Sequence, residues 1–181
     1  MAVLIEGYSV VIKRELIEKK WPGGWTNFVN DVPNKTLCAD SHLARVGFMN
    51  YNDALQYCQS LEECGILETT RVYDGGYVHV GQLQGLKNEA KWLDFLHVDI
   101  GTDKKMSVAV CRLVGDDETV FISPEGWVYE GSLSDKPNYI TNEEAEQRLE
   151  RIRRRDGLEV YYDKKTRKQV FVGRTGKDKK K

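Results

Sequence analysis

Two apolar periods alternate within the first eighty residues, and this constrains the fold more than any other feature of the chain. Residues 3–12 are rich in Val and Ile, with Leu4, Tyr8, Val10 and Ile12 on one face at period two, the pattern of a strand. Leu16 and Ile17 are spaced for a short helix over 13–20, which Pro22-Gly23-Gly24 ends. Trp25, Phe28, Val29 and Val32 then recur at helical spacing before Pro33. Residues 36–39 and 43–48 read as two strands around an Asp40-Ser41 turn. Asn50 is placed to accept from the amide of Asp53 and so to cap a helix running to about Cys64, with Ala54, Leu55, Cys58 and Leu61 as its buried stripe and Gly65 closing it. Residues 66–73 and 77–83 form an expected hairpin about Asp74-Gly75-Gly76. The order is β-α-β-β-α-β, which predicts an α+β protein whose residues 1–90 form a ferredoxin-like unit.

From Trp92 onward the patterning is mostly β. Segments 92–100, 106–114, 119–122 and 127–129, separated by Gly- and Asp-containing turns, predict an antiparallel β-meander over 91–140. A helix over 142–155 is expected next, opened by Thr141 and Glu144 as a capping box and closed by arginines. A hairpin over 158–172 completes a basic segment at 141–173, and 174–181 forms a Lys-rich tail expected to be flexible. Val-to-Gly separations of 9, 11 and 13 residues in three candidate hairpins exclude a fixed repeat period.

Composition narrows the class without selecting a chemistry. The 181 residues are 40% hydrophobic and 30% charged, which fits a folded globular chain rather than a disordered one. No apolar run approaches the roughly 18 residues that span a bilayer, so no membrane partner is expected. The start of the chain has no basic segment and carries Glu6 inside its apolar stretch, which argues against a secretory signal. Cys38, Cys58, Cys64 and Cys111 include no Cys-x-x-Cys pair, so reduced thiols and a cytoplasmic location are expected.

The net charge of −1 is a cancellation. Fourteen of the 27 basic residues but five of the 28 acidic ones follow Gln147, leaving a body of −10 joined to a terminus of +9. Arg151, Arg153, Arg154, Arg155, Lys164, Lys165, Arg167 and Lys168, interleaved with Tyr161, Tyr162 and Phe171, are candidate contacts for nucleic-acid phosphates and bases. An acidic protein surface or plain solvation would use the same residues.

Catalytic chemistry finds little support. Cys38, Asp40 and His42 bring a thiol, a carboxylate and an imidazole within five residues, but no second Cys or His cluster completes a metal site or a nucleophilic triad. The bland arrangement is a strand end with Cys38 buried, Asp40 in the turn and His42 at the surface. His79 and His97 stand alone in strand-like segments. Neither Gly-x-Gly-x-x-Gly, nor the P-loop pattern, nor Gly-x-Ser-x-Gly occurs. No catalytic residue, metal site or cofactor is therefore assigned.

The Trp21-Pro22-Gly23-Gly24-Trp25 elbow is more distinctive. Two indoles about a tight turn serve as a stacking platform, as an anchor for a protein partner, or as caps over the core beneath. Segments 8–14, 21–25, Leu37-Cys38-Ala39-Asp40, Ala44-Arg45-Val46-Gly47-Phe48 and Trp92-Leu93-Asp94-Phe95 together resemble a set of uncharacterised bacterial proteins, over roughly the first hundred residues. That resemblance implies a bacterial-type cytoplasmic protein and brings no activity or ligand with it. The leading expectation is a non-enzymatic binding or protein-interaction module, with Trp21 and Trp25 as candidate contacts to an unidentified protein partner. Nucleic-acid binding through the basic segment is the first alternative, and a small-molecule enzyme without a recognisable motif the second.

Overall fold

The structure is a computed structural model that describes residues 1–101, 106–118, 120–136, 147–155, 158–165 and 167–173. Its elements are mixed α+β. In chain order they are β1 (Ala2–Ile5), β2 (Tyr8–Lys13), α1 (Arg14–Lys20), α2 (Gly24–Asp31), β3 (Cys38–Ala39), β4 (Leu43–Phe48), α3 (Tyr51–Glu63), β5 (Tyr77–Gly81), β6 (Gly85–Leu86), β7 (Leu93–Asp99), β8 (Ser107–Leu113), β9 (Phe121–Ile122), β10 (Leu149–Arg155), β11 (Leu158–Asp163) and β12 (Lys168–Gly173). Three sheets result, ordered β3-β4-β2-β5-β6, β7-β8-β1-β9 and β10-β11-β12.

The first sheet is antiparallel throughout, with β2 at its centre paired to β4 from Tyr8↔Phe48 to Lys13↔Leu43 and to β5 from Tyr8↔Gly81 to Ile12↔Tyr77. Because side chains alternate across a strand, its two faces enter different cores. Val10, Ile12, Ala44, Val46, Phe48 and Tyr77 pack against Ile17, Phe28, Ala54, Tyr57, Cys58 and Leu61 of the helices. Val11, Leu43, Val78 and Val80 pack the other way, against Val3, Ile5, Val108 and Val110 of the second sheet. The described body is thus helices on sheet on sheet, with both faces of the central sheet covered.

The strand expected over 3–12 is two strands. Gly7 lies between them at φ +58°, and a side chain there would meet the Phe48 carbonyl at 2.6 Å. Its amide donates to Gln82 Oε1 at 3.0 Å, and the Gln82 amide donates to the Gly7 carbonyl at 2.9 Å. The chain therefore leaves one sheet at Gly7 and enters the other, and β1 pairs with β8 rather than with its neighbours in sequence. Apolar residues of the same parity, Leu4 before the crossing and Tyr8 after it, hide the break at Glu6-Gly7 from pattern reading.

Three further expectations fail. Residues 66–73 form no ladder with β5, only a single parallel bridge, Glu68↔Tyr77. One edge of β5 is taken by β2 and the far end of the other by β6, so a full hairpin partner has no place. The meander is not wholly antiparallel either. β9 lies parallel to β1, with Ala2↔Phe121 and Val3↔Ile122. Residues 127–129 are not a strand; Trp127 turns back, its amide donating to Pro124 O at 3.1 Å, and its ring meets Phe121 edge-on at 5.9 Å. Finally, 149–155 is strand β10 and not the end of a helix, paired to β11 from Leu149↔Asp163 to Arg155↔Leu158 with a bulge between Arg151 and Arg153. Side-chain pairs along a helix contribute only about 0.3 kcal/mol each. That is too little to hold the segment helical against the ladder with β11, so strand pairing overrides the local charge pattern. Thr141 and Glu144 of the expected capping box lie outside the described residues, as does 174–181.

The cap of α3 forms as the sequence requires, with the Asp53 amide donating to Asn50 Oδ1 at 2.9 Å. Its buried stripe differs by one position: Leu55 is 39% exposed, and Tyr57 takes the inward place.

Candidate functional site

The elbow forms where α1 stops. The Trp21 amide still donates to Ile17 O at 3.0 Å, and the Gly24 amide donates to Trp21 O at 2.8 Å, which closes the turn. Gly23 and Gly24 sit at φ +79° and +66°, a left-handed pair that residues with a Cβ resist. Both indoles are half-buried on the fully buried Phe28, Trp21 edge-on at 5.3 Å and Trp25 stacked at 5.5 Å. The Arg14 guanidinium lies 4.1 Å from the Trp25 ring centre, so that indole already holds a cation of its own chain. Trp21 Nε1 donates to Asp31 at 3.0 Å, which fixes the ring's orientation and places a carboxylate beside it.

Trp21 forms one wall of a cleft of about 340 Å³ between the end of α2 and the side of α3, lined also by Asp31, Pro33, Phe48, Asp53, Gln56, Tyr57 and Ser60. Two carboxylates and three aromatic rings line it, with no basic residue among them. Tyr57 is 9% exposed, packs its ring 5.3 Å from Phe48, and its hydroxyl has no hydrogen-bond partner among the described residues. Burial first, then the charges of Cys58 and Asp31, push the phenol's pKa up, so it remains a protonated donor at any physiological pH. A buried hydroxyl without a partner forgoes about 1–3 kcal/mol. The cleft therefore offers aromatic faces, negative charge and an unused polar group together.

The remaining sequence candidates are dispersed. Asp40 is buried in its turn, where Oδ1 accepts from the amides of His42 at 2.7 Å and Leu43 at 2.6 Å. Cys38 is buried beneath the sheet and His42 is exposed, so the three groups share no site. Among the described residues, no three His, Cys, Asp or Glu side chains are grouped to hold a metal ion. Arg151, Arg153, Arg154 and Arg155 lie along β10, and Lys168 begins β12. Lys164, Lys165 and Arg167 are exposed around the β11–β12 turn. Asp163, 3% exposed, organises that turn: it accepts from Arg148 Nε and Nη2 at 2.6 Å each and from the Lys165 amide at 2.9 Å.

One pair was not anticipated from the sequence. Cys58 Sγ lies 3.6 Å from His79 Nε2 beneath α3, with Tyr51 and Tyr77 edge-on to the imidazole at 5.4 and 5.6 Å. The signal was available, since His79 shares the parity of Tyr77 on β5 and Cys58 lies in the helix stripe that must cover that face. Burial pushes the thiol up to about 12 and the imidazole down to about 4. Both are neutral near pH 7, so the pair holds no thiolate and is packing rather than a nucleophile with its base.

Among the described residues no helix is long and apolar enough to cross a membrane. No protein-family model matches the chain, and neither a curated protein nor a solved structure matches it.

Proposed function

We propose that this protein is a non-enzymatic binding module that takes a basic side chain of a protein partner into the cleft between Trp21 and Tyr57. The observation that carries the reading is the cleft's one-sided chemistry. Asp31 and Asp53 supply charge, Trp21, Phe48 and Tyr57 supply faces for a cation, and no basic residue neutralises them from within. Arg14 on Trp25 displays the same recognition inside the chain. The net charge of −10 before Arg148 favours approach of a basic segment at long range. Trp25 acts beside the cleft, by holding Phe28 and Arg14 in place.

The probe is N-acetyl-arginine amide, with N-acetyl-norleucine amide as its uncharged control, titrated while the indole N–H resonance of Trp21 is followed. A saturable shift with the arginine compound, with binding measured by calorimetry lost in Trp21→Ala and weakened in Asp31→Asn, supports the reading. An equal response to both compounds, or none to either, refutes it.

A second reading rests on Lys164, Lys165 and Arg167 clustering in exposed positions about one turn. This face binds nucleic acid through phosphate contacts. Affinity for a single-stranded oligonucleotide then falls steeply with salt, and the slope shrinks when the three are changed to Ala. Absence of binding at low salt removes it.

Within the α+β architecture, residues 8–81 are read as a ferredoxin-like unit. The succession β2, α1–α2, β3, β4, α3, β5 with spatial order β3-β4-β2-β5 supports this. A reducing, cytoplasmic setting is supported by four free thiols, three of them buried.

A further inference from the structure

Arg45 points from strand β4 into the space between the two large sheets, where it is 2% exposed. Its Nε donates to Ser9 Oγ at 2.8 Å, Nη1 to the Thr36 carbonyl at 3.1 Å and Nη2 to the Glu6 carbonyl at 2.7 Å. All three acceptors are neutral, and they use three of the guanidinium's five N–H groups. Among the described residues no carboxylate forms an ion pair with it. The Glu6 carboxylate lies near enough to favour the charge but accepts instead from the Ser134 amide and hydroxyl at 2.9 and 2.7 Å. Buried cations are ordinarily paired, because an unpaired charge in a low-dielectric interior is strongly disfavoured.

This guanidinium lines a cleft of about 400 Å³ at the junction of the sheets. Trp127 lines the same cleft, and its buried indole N–H has no hydrogen-bond partner among the described residues. Phe48, Met49 and Leu133 supply apolar wall. The cleft thus joins a buried cation that has no ion pair among the described residues, an unused donor and an apolar surface, a combination that fits a small ligand with one anionic end. Glu6, Asp53 and Glu125 also border it, against Arg45 and Lys35, so a dianion meets about twice the repulsion that a monoanion does.

We infer that this cleft binds a small organic monocarboxylate, its carboxylate received by Arg45 and Trp127 and its apolar body lying against Phe48, Met49 and Leu133. The site is separate from the Trp21 cleft, although Phe48 and Asp53 border both.

The test titrates hexanoate, hexanamide and inorganic phosphate into the full chain while the Trp127 indole N–H resonance is followed, assigned by its absence in Trp127→Phe. Hexanoate gives a saturable shift, and hexanamide and phosphate bind at least about tenfold more weakly. Trp127→Phe, titrated by calorimetry because the indole reporter is gone, keeps an aromatic ring and weakens hexanoate binding by about fivefold, as expected for one lost donor. Arg45→Met abolishes binding, and where that variant does not fold the Trp127→Phe titration decides alone. Trp21→Ala leaves hexanoate affinity unchanged, which separates this site from the one proposed above. Equal shifts from hexanamide or phosphate, undiminished affinity in Trp127→Phe, or no saturation by about 10 mM hexanoate overturns the inference.

Discussion

Gly47→Ala carries the sharpest stability prediction, because local and tertiary effects have opposite signs there. Gly47 sits in β4 opposite Ser9, at a backbone conformation that any residue adopts. On strand propensity alone, alanine would stabilise by about 0.5–1 kcal/mol. In the fold its Cβ would lie 2.5 Å from Arg45 Nη2, 2.7 Å from Cζ and 2.9 Å from Nη1. An exposed arginine would swing aside at little cost. Arg45 is buried and tied by three hydrogen bonds, so it must either strain its surroundings, at about 1–3 kcal/mol, or surrender a charge-assisted bond worth about 1.5–3 kcal/mol. Taken against the propensity gain, the net loss is about 1.5 kcal/mol, a substantial share of a typical stability of about 5–15 kcal/mol. In urea, with a slope of about 2 kcal/mol per molar, the midpoint falls by about 0.7 M. The control is the same substitution in an Arg45→Ala background, where the clash is gone and alanine should be neutral or stabilising. An unchanged midpoint for Gly47→Ala in the native background, or an equal loss in both, would show that the guanidinium does not depend on the missing side chain.

Two further outcomes follow from buried ionisable groups. His79 has its pKa lowered from 6.5 to about 4 by burial, so below pH 6.5 the unfolded chain takes up a proton that the folded chain refuses. Stability therefore falls as pH drops from 6.5 toward 4, by about 2 kcal/mol at pH 5. His79→Phe should flatten the urea midpoint between pH 7 and pH 5, and an unaltered slope would assign the effect elsewhere. The thiols should also separate by reactivity: Cys64 is the half-buried one, whereas Cys38, Cys58 and Cys111 are buried and burial raises their pKa values. Alkylation of the native protein at pH 8, read by mass spectrometry, should modify Cys64 first; prompt modification of Cys58 would contradict the closed packing beneath α3.

Much of the first half was legible because short-range chemistry decided it. The caps and turns at Asn50, Gly65 and Asp40 each depend on groups within a few residues, and each forms as read. The elbow was legible for the same reason, as a tight glycine turn between two indoles. The cleft beside it was not, since Asp31, Phe48 and Tyr57 converge only when α2 and α3 dock on the sheet. Nor was Arg45, which sits in an alternating strand segment like a surface cation. A second sheet, built partly from residues 93–122, buries the face it occupies.

The sequence by itself determined the α+β class, the existence of most elements in residues 1–113, and the charge division at Arg148, because periodicity, capping and composition are local properties. The tertiary structure alone decided that β1 leaves its neighbours at Gly7, that 149–155 pairs as a strand, and that a buried guanidinium faces an open cleft. Each is settled by contacts between residues far apart in the chain. Their energies outweigh local preferences of a few tenths of a kilocalorie per mole, and no window of sequence contains them.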